Sequence, residues 1–486
     1  SVPSEYQLTV YDDHRLKVLN VSIIKTPIAI SLSESIAFCW KKTEVVKQKL
    51  TILHGDTMFL NSIFESENSI SIHPNKGFYN RALLGESFDK TNEQWVDGSG
   101  PVVSGFFSFH YPNYLIKLLD RADMYFGNVL NEYHKAHPFS FNSSGEWLDL
   151  GHINTFYQSR SRLTTQRSFN LLSMSHRIVT KRSNKNSKKI LAELEWFENI
   201  PRNLRLHTPA LLDYNTVSDN PLDIFYQLEY LYFLPIADIF VFGRVPKVTW
   251  SEIFESISNL LKDFSQNPGQ LFSSQISKLE QLYLPKTILR LREFDDQFGF
   301  GIGSREISYV GSELKITLLE MAHQAANVIA PITESDFCVM HGDLCFSNIL
   351  FDSRGSAVKI IDPRGESSDG EFSIYGDRRY DLAKLHHSVI GLYDLIIAGH
   401  FDLEVDDDLK FYKISFHYDY TDYSNAVDEY FQHLLVPSGY SDKEITAVCV
   451  LLFLSMLPLH SDRPDRQNAF IANALRLYLK IFKPVI

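Results

Sequence analysis

The sequence lacks paired cysteines and any long uninterrupted apolar run, and each absence excludes a class of protein. The chain contains four cysteines, Cys39, Cys338, Cys345 and Cys449, and none of them has CxxC or metal-ligand spacing. We therefore expect free thiols in a reducing cytoplasm, which excludes a disulfide scaffold and a zinc site. The longest apolar stretch, 445–459, is interrupted by Thr446 and Ser455 and falls short of the roughly 18 residues that span a bilayer. It is predicted to be a buried helix that begins with a capping box formed by Ser441 and Glu444.

Positive charge is scarce relative to negative charge. The 486 residues carry a formal net charge of −12, which argues against a nucleic-acid binder and against a protein of anionic membranes. With 44% hydrophobic and 22% charged residues the composition is that of a globular protein, and the length predicts two or three domains. No charged-then-apolar leader opens the sequence, which predicts a protein that is not secreted. The first residue is Ser1 and not methionine, which leaves room for residues upstream, and the sequence leaves open whether identical subunits form a homo-oligomer.

What the sequence does contain is a polar motif spread over two apolar segments at 339–366, which read VMHGDLCFSNILFDSRGSAVKIIDPRGE. Asp343 follows the first predicted strand, Asn348 lies five residues later, and the second predicted strand leads to Asp362. This spacing suits phosphoryl transfer, in which a protein positions two oxygens in line and neutralises charge on the moving phosphoryl group. Asp343 is the predicted base that accepts the proton of an attacking hydroxyl. Asn348 and Asp362 supply oxygen ligands for Mg²⁺ beside the nucleotide phosphates.

A simple β-hairpin with a polar turn is the alternative interpretation, because residues 352–355 form a good turn sequence between the two apolar segments. That interpretation does not explain why both strands end in aspartate with an asparagine between them. The segments HGDLCFSN and IIDPRGE resemble the catalytic and metal-binding segments of the aminoglycoside phosphotransferase and choline kinase superfamily. The resemblance implies a protein-kinase-like fold and phosphorylation of a small metabolite with ATP and Mg²⁺. The sequence departs from many members in having Pro-Arg-Gly after Asp362. This difference leaves metal binding intact, but it makes the identity of the phosphate acceptor harder to infer.

The region 166–250 has the features of a small nucleotide-binding lobe. Its pattern predicts a strand that ends near Lys181, followed by a helix over 186–197 that carries Glu193. A strand lysine paired with a helix glutamate is how kinase-like folds hold the α- and β-phosphates of a nucleotide. A solvated basic surface is the alternative for the lysine, because further basic residues follow it. For the glutamate, the alternative is Glu195.

The next predicted strand, 225–231, leads into the hinge between two lobes. The hinge backbone is expected to contact the adenine base through Glu229, Tyr230 and Leu231. No GxGxxG sequence precedes Lys181, so Ser168 and Asn170 in the segment RSFN are the candidates for a phosphate-covering loop. The order RSFN, TKRS, ExxWF and HGD, from Arg162 to the end, resembles kinase-like proteins of capsular and surface polysaccharide synthesis.

Helical periodicity dominates the region 251–486, which predicts a helical large lobe. Clear examples are the segments 253–264, 313–329 and 381–395. In the segment YGDRRYDLA, Asp381 resembles the aspartate with which this superfamily starts a helix and braces the catalytic loop, and the alternative is a charge that only interacts with the helix dipole. His341 is predicted to brace the same loop through backbone hydrogen bonds, without proton transfer. Arg378 and Arg379 are candidates either for binding phosphate or carboxylate, or for ion pairs with neighbouring aspartates.

The first 165 residues alternate short apolar strands with helical stretches, which predicts an α/β domain with a largely parallel sheet. Strands are expected at 7–11, 18–24 and 49–53, and a helix is expected at 32–42. The third of these strands leads directly into His54-Gly55-Asp56-Thr57. Asp56 therefore lies where open α/β sheets bind their ligands.

The segment LHGDT, together with WLDLGHINTFYQS around Asp149, resembles the two metal-aspartate segments of sugar-nucleotide pyrophosphorylases and related nucleotidyltransferases. The resemblance implies a Rossmann-like fold in which Asp56 and Asp149 hold one Mg²⁺ between nucleotide and phosphorylated substrate. The alternative is that both aspartates are turn residues at strand ends. That family opens with a glycine-rich loop that ends in a basic residue, and nothing before Tyr6 provides one. Either the loop lies upstream of Ser1, or the domain has lost nucleotidyl transfer and serves as a scaffold.

Three hypotheses follow for the whole chain. The first is a kinase that phosphorylates a hydroxyl group of a sugar, polyol or amino alcohol. The second couples this kinase to a nucleotidyltransferase that activates the product for capsule or surface polysaccharide synthesis. The third is a regulatory or scaffold protein that binds a nucleotide without turnover, and the presence of all four kinase-type polar residues argues against it.

Overall fold

The computed structural model divides the chain into two compact units, Ser1–Thr165 and Gln166–Ile486. It describes residues 1–4, 16–28, 30–43, 49–61, 68–74, 101–121, 125–152, 155–156, 159, 170–174, 177–183, 187–217, 223–367 and 369–482. Each unit has its own cluster of buried apolar side chains.

The first unit is built on a four-stranded sheet. Its described strands are β1 (Val2–Pro3), β2 (Lys25–Thr26), β3 (Leu50–Leu53), β4 (Thr57–Leu60), β5 (Ser69–His73), β6 (Val102–Phe109), β7 (Ser140–Asn142) and β8 (Glu146–Asp149). The sheet has the order β3-β6-β5-β7, and β4 pairs separately with β8. Strand β6 runs antiparallel to β3 and β5, whereas β7 runs parallel to β5. The prediction of a largely parallel sheet is wrong for these strands, because an alternating pattern specifies a strand but not the direction in which it pairs.

The helices of the first unit cover the core of this sheet. They are α1 (Leu32–Lys42), α2 (Pro112–Leu119) and α3 (Phe126–Ala136). Helix α1 has the predicted bounds, because Ser31 and Glu34 form a reciprocal capping box at its start. Phe109 on β6 lies buried against Tyr133 of α3, with the two rings nearly perpendicular.

One predicted strand of the first unit is not formed. Residues 16–18 are helical, and 21–24 have no regular structure. Val18 and Leu19 are exposed, so the apolar residues that predicted this strand are not packed against a core. The strand predicted at 7–11 lies outside the described residues.

The second unit begins with a four-stranded antiparallel sheet and one helix. The strands are β9 (Asn170–Met174), β10 (Ile178–Ser183), β11 (Leu211–Asn215) and β12 (Phe225–Glu229), in the order β11-β12-β10-β9. Helix α4 (Ser187–Asn199) follows β10, as predicted. Its apolar face is buried, including Leu194 and Trp196, and this burial holds the helix against the sheet.

The rest of the second unit is mainly helical, as predicted. The helices are α5 (Ile236–Phe242), α6 (Lys247–Ser265), α7 (Ser273–Glu280), α8 (Leu284–Phe298), α9 (Leu318–Ala326), α10 (Arg378–Val389), α11 (Tyr393–Ala398), α12 (Tyr420–Tyr430), α13 (Asp442–Ser455) and α14 (Pro464–Phe482). The short strands are β13 (Leu234–Pro235), β14 (Ser308–Tyr309), β15 (Phe337–Val339), β16 (Ile349–Asp352), β17 (Ala357–Ile360), β18 (Tyr375–Asp377), β19 (Phe401–Val405) and β20 (Phe411–Phe416). Helix α13 is almost wholly buried, so the longest apolar run forms a core helix. None of the helices in the described ranges combines the length and apolar character needed to cross a bilayer.

Two predicted helices differ from the observed ones. The helix predicted at 381–395 is split into α10 and α11, and Leu392 at the junction has a φ of +56°, which no α-helix contains. The helix predicted at 313–329 is shorter, because Ile316 forms a backbone bridge to Ile307 before Thr317 caps α9.

Candidate active site

Lys181 lies in a buried polar cluster between the small sheet and helix α4. Its Nζ is 2.5 Å from Glu193 Oε2 and 3.1 Å from Asp362 Oδ1. The phenol of Tyr226, on the neighbouring strand β12, donates a hydrogen bond of 2.7 Å to the same glutamate oxygen. The structure therefore brings together the lysine, the helix glutamate and the second aspartate of the motif, and it pairs the lysine with Glu193 and not with Glu195.

Opposite charges set the protonation states in this cluster. Burial alone would lower the pKa of Lys181, but the carboxylates of Asp362 and Glu193 outweigh burial and hold that pKa above its ordinary value. For Asp362, burial would raise the pKa, but Lys181 overrides it and the pKa lies below its ordinary value. Burial raises the pKa of Glu193, and Lys181 offsets only part of that rise. Lys181 is thus cationic and Asp362 anionic at neutral pH.

The backbone around Asp362 is held in an uncommon conformation. Asp362 has a φ of +59°, in the left-handed region that residues other than glycine rarely adopt. Gly365 has a φ of +67°, and a Cβ atom there would lie 1.9 Å from the Ala192 carbonyl oxygen of α4. The glycine after Pro-Arg therefore allows this segment to pass close to the helix that carries Glu193.

Asp343 and Asn348 lie together in the loop that joins β15 to β16. Asn348 Nδ2 donates a 2.9 Å hydrogen bond to the Asp343 carbonyl oxygen and lies 3.4 Å from its carboxylate Oδ2. The Ile361 N–H donates to the Asn348 carbonyl oxygen, at 3.0 Å, where β17 leads into Asp362. Lys384 Nζ on helix α10 is 2.8 Å from Asp343 Oδ1 and fixes the orientation of this carboxylate.

His341 and Asp381 brace the catalytic loop from behind. The Asp381 carboxylate accepts hydrogen bonds from the N–H groups of His341 and Gly342, at 2.7 and 2.8 Å. His341 Nδ1 accepts from the Asp343 N–H, so Nε2 carries the proton and donates to the Ile361 carbonyl oxygen at 2.9 Å. Burial lowers the pKa of His341 to about 4, so the ring is neutral and holds the loop through its two backbone hydrogen bonds. Burial raises the pKa of Asp381 to about 7.

Of the two arginines at the start of α10, Arg379 forms ion pairs with neighbouring carboxylates. Arg379 is buried, its side chain forms three hydrogen bonds with the carboxylate of Asp377, and it contacts Glu444 Oε1 at 2.9 Å. Arg378 lies over the ring of Tyr440. Asp377, and not Asp381, is the N-cap of the helix. Of the two alternatives, the ion pair holds for Arg379.

A group of cations that the sequence did not single out lies beside Asp343. Arg364 and Lys286 both direct a nitrogen toward the Tyr380 hydroxyl, at 3.4 and 3.3 Å, and Lys384 lies one helical turn after that tyrosine. Burial would raise the pKa of Tyr380, but these three cations outweigh burial and lower the pKa to about 7.

The residues present fit a Mg²⁺ ion that is shared with a nucleotide. The described part of the chain has no cluster of three or more histidine, cysteine or acidic side chains suited to a metal. Mg²⁺ in kinase sites takes one or two protein oxygens and completes its shell with phosphates and water. The carboxylate of Asp362, which is 48% exposed, and the amide oxygen of Asn348 are hard oxygen donors of that kind. These two residues would hold the ion.

The predicted nucleotide contacts outside the cluster are described only in part. The N–H groups of Glu229 and Tyr230 donate to the carbonyl oxygens of Ala210 and Arg177, at 2.9 and 2.8 Å. These two N–H groups already donate within the protein. The predicted hydrogen bonds to the adenine base are therefore left to the N–H of Leu231 and to the carbonyl groups of the hinge. Ser168 lies outside the described residues. Asn170 begins strand β9, but its side chain is outside the described part.

In the first unit, the structure places Asp56 and Asp149 at one end of the β4-β8 pair. Thr57 lies opposite Asp149, and the Leu150 N–H donates to the Asp56 carbonyl oxygen at 2.8 Å. The buried carboxylate of Asp149 accepts hydrogen bonds from His152 and Thr155, at 2.7 and 2.5 Å. The two aspartates are thus neighbours, and their role as metal ligands stays a prediction.

Sequence reasoning missed the cations Lys286, Arg364 and Lys384. Arg364 follows Asp362 by two residues, and Lys384 follows Asp381 by three, so the second pair shares a helix face. This spacing could have indicated that Lys384 lies near the catalytic loop that Asp381 braces. Nothing in the sequence around Lys286 links it to the motif at 339–366, because their proximity depends on how α8 packs.

Comparison with known proteins gives one family match. Residues 175–398 match the family model described as APH, the phosphotransferase enzyme family. The matched segment makes up less than half of the chain and lies within the second unit. No curated protein sequence matches the chain with statistical significance.

Solved structures of kinases align with about two thirds of the chain at low identity. An aminoglycoside-3'-phosphotransferase of type VIII is 14% identical, with 63% of this chain and 99% of that chain covered and a TM-score of 0.34. Choline kinase LicA from Streptococcus pneumoniae is 12% identical, with 65% and 91% covered and a TM-score of 0.34. The GDP complex of wild-type aminoglycoside 2'-phosphotransferase-IIIa is 12% identical, with 65% and 91% covered and a TM-score of 0.37. The family match supports the predicted resemblance of the second unit to the aminoglycoside phosphotransferase and choline kinase superfamily.

Proposed function

We propose that residues 166–486 transfer the γ-phosphoryl group of ATP to a hydroxyl group of a small metabolite, with Mg²⁺. The observation that carries the proposal is the contact of Asp362 with the buried Lys181–Glu193 pair, at the end of the strand that is hydrogen-bonded to Asn348. Asn348 in turn contacts Asp343. A phosphate-binding lysine, two oxygen donors for a metal and a candidate base therefore belong to one connected network, which is the set that phosphoryl transfer requires.

Each side chain has a defined task in this reaction. The acceptor oxygen attacks the γ-phosphorus, a new P–O bond forms, and the bond between that phosphorus and the oxygen of the departing ADP breaks. Asp343 takes the proton of the acceptor hydroxyl, and Lys384 holds its carboxylate in place. Lys181 binds the α- and β-phosphates, and Glu193 keeps it in position. Mg²⁺, when bound, neutralises charge on the β- and γ-phosphate oxygens.

The direct test replaces Asp343 by asparagine. ATP consumption by the full chain is measured against a panel of sugars, polyols and amino alcohols, and products are identified by mass spectrometry. Asp343→Asn should reduce turnover roughly 100- to 10,000-fold, because a general base is lost. Its affinity for a Mg²⁺–ATP analogue should stay nearly that of the wild type. Undiminished ATP-dependent phosphorylation by the variant would refute this assignment.

We propose nucleotide activation of the phosphorylated product, for capsule or surface polysaccharide synthesis, as a second activity of the first unit. The adjacency of Asp56 and Asp149 across the β4-β8 pair favours it. Incubation of the chain with each nucleoside triphosphate, Mg²⁺ and a series of sugar phosphates should release pyrophosphate, and Asp149→Asn should abolish the release. Without any release, the alternative of a degenerate nucleotidyltransferase domain stands.

A nucleotide-binding scaffold without turnover is the remaining alternative for the whole chain. It is distinguished from the kinase by the acceptor panel together with nucleotide binding. Tight Mg²⁺–ATP binding without phosphorylation of any acceptor would favour the scaffold. The intact set of Lys181, Asp343, Asn348 and Asp362 favours the kinase.

A further inference from the structure

Tyr380 is buried between two cations for which the described residues provide no carboxylate partner. Lys286 Nζ lies 3.3 Å from the phenol oxygen and 5.6 Å from the ring centroid. Arg364 Nη2 lies 3.4 Å from the same oxygen, and its guanidinium is 5.2 Å from the centroid. Within the described ranges, neither cation has a carboxylate oxygen within 4.0 Å, whereas Lys384 is paired with Asp343. One phenol oxygen therefore serves two cations.

The positive charge of this pair is only partly compensated. Arg364 Nη1 is buried and has no hydrogen-bond partner in the described part of the protein. Burial, and to a smaller extent the nearby Arg364 guanidinium, lowers the pKa of Lys286 to about 8. A buried cation donor without a partner is costly, so the arrangement is one that an anionic oxygen would stabilise.

The pair lies next to the proposed base. The Cβ of Arg364 packs over Gly342, where an added Cβ would lie 2.7 Å away, and Gly342 directly precedes Asp343. Tyr380 and Lys384 lie one helical turn apart on α10, and Lys384 contacts the Asp343 carboxylate at 2.8 Å. A molecule whose hydroxyl reaches Asp343 can therefore place a second group against Arg364 and Lys286.

We propose that Arg364, Lys286 and Tyr380 form a subsite for an anionic group on the phosphate acceptor, a carboxylate or a phosphate. The proposal rests on the proposed kinase function and names its acceptor class. A guanidinium offers two parallel N–H donors to a carboxylate or phosphate, and Lys286 and the phenol O–H add further donors. The acceptor is then a hydroxy acid or a phosphorylated sugar or polyol. An amino alcohol would bring a third positive charge to this subsite and is disfavoured.

Binding of simple anions tests the subsite without knowledge of the natural acceptor. The full chain is saturated with Mg²⁺ and a non-hydrolysable ATP analogue, which fills the phosphate positions of the nucleotide. Inorganic phosphate, glycerate and glycerol are then titrated by calorimetry. At least one of the two anions should bind at millimolar concentration and glycerol should not, and the ratio of the two anion affinities distinguishes a phosphate subsite from a carboxylate subsite.

Variants locate the binding. Arg364→Gln and Lys286→Gln should each weaken anion binding roughly 10- to 100-fold, because a charge-assisted hydrogen bond is lost. Lys413→Gln removes the same charge from an exposed lysine that pairs with Glu404, and it should bind like the wild type. If Arg364→Gln no longer binds the ATP analogue, its anion affinity cannot be interpreted. The anion affinity of Lys286→Gln then tests the subsite.

Two results would overturn the subsite. One is the absence of anion binding to a wild type that does bind the analogue, and the other is an anion affinity in both subsite variants that equals that of the wild type. Either result leaves the kinase proposal standing, since that proposal fails only if the wild type binds no Mg²⁺–ATP analogue or phosphorylates no acceptor of any charge.

Discussion

At the scale of single residues, the Lys181–Glu193 pair is buried, and its lysine supplies the positive charge that is proposed to bind the nucleotide phosphates. Both side chains are under 10% exposed, so breaking the pair leaves a buried charge without a partner. Lys181→Met should therefore lower the free energy of unfolding by about 3 kcal/mol. It should also weaken binding of the ATP analogue. Urea denaturation and analogue titration of the same preparation provide the two measurements.

A double-mutant cycle separates the pair from general packing effects. The double variant Lys181→Met with Glu193→Gln should lose less stability than the sum of the single losses, because the buried Glu193 carboxylate is no longer present to be left without its lysine. Lys189→Met is the matched control, since Lys189 is 49% exposed and 3.8 Å from Glu193 Oε1. Its effect should stay below about 1 kcal/mol. Strict additivity of the two core substitutions would contradict this account.

His386 predicts a dependence of stability on pH. The ring is buried, with Tyr430 OH at 3.0 Å from Nδ1 and Thr446 Oγ1 at 3.0 Å from Nε2, and burial lowers its pKa to about 3. Because the folded state disfavours the protonated ring, its contribution is fully present above pH 6.5 and is lost as pH falls toward 3. The stability difference between wild type and His386→Gln should shrink by about 1.4 kcal/mol per pH unit over that range. A difference that does not change with pH would show that the ring is not held neutral.

The sequence was sufficient to find some of these residues and not others. Lys181, Glu193 and Asp362 were identifiable because each occupies a fixed position relative to a strand or helix whose order along the chain is informative. The cation pair of Arg364 and Lys286 was not identifiable, because it depends on how α8 and the segment after Asp362 approach Tyr380. Sequence periodicity carries no information about that contact.

At the scale of elements, the capping box predicted at the start of helix α13 is only half formed. Ser441 Oγ accepts a hydrogen bond from the Glu444 N–H at 3.1 Å, as predicted. The Glu444 carboxylate does not return to the Ser441 N–H as a capping box requires. It instead accepts from Arg379 and from the Ala330 N–H, at 2.9 and 3.1 Å. A buried arginine competes successfully for the carboxylate, and local sequence does not reveal such a competitor.

The cap of α13 gives a prediction for stability. Ser441→Ala should lower the free energy of unfolding by about 1 kcal/mol, because the Glu444 N–H loses its acceptor. Thermal or urea unfolding measures the change. Ser461→Ala, an exposed serine after the helix, should change stability by less than about 0.5 kcal/mol. Equal effects of the two substitutions would show that the cap contributes nothing specific.

Elements were most predictable where a local signal marks both ends. Helix α1 was placed correctly because a capping box begins it and Lys41 and Lys42 lie in its last turn. The direction of strand pairing in the first unit was predicted wrongly, since β6 runs antiparallel to both neighbours. Direction depends on connections between distant segments, and alternation of apolar residues is the same for both directions.

At the scale of the whole molecule, the buried apolar cluster of the second unit is drawn entirely from residues 190–481. The described residues of the proposed kinase site all lie in the same unit. Residues 166–486 expressed alone should therefore unfold cooperatively and bind the Mg²⁺–ATP analogue with nearly the affinity of the full chain. Calorimetric unfolding and analogue titration check this. Loss of nucleotide binding in a folded fragment would mean that the first unit contributes to the site.

The central claim is that Lys181, Asn348 and Asp362 hold one magnesium-bound nucleotide. It is tested most directly by measuring the affinity of the full chain for the ATP analogue with and without Mg²⁺, in the wild type and in Asp362→Asn. The account predicts that Mg²⁺ tightens binding roughly tenfold or more in the wild type and has little effect in the variant, because a hard oxygen ligand has been lost. Equal dependence on Mg²⁺ in the two proteins would contradict it.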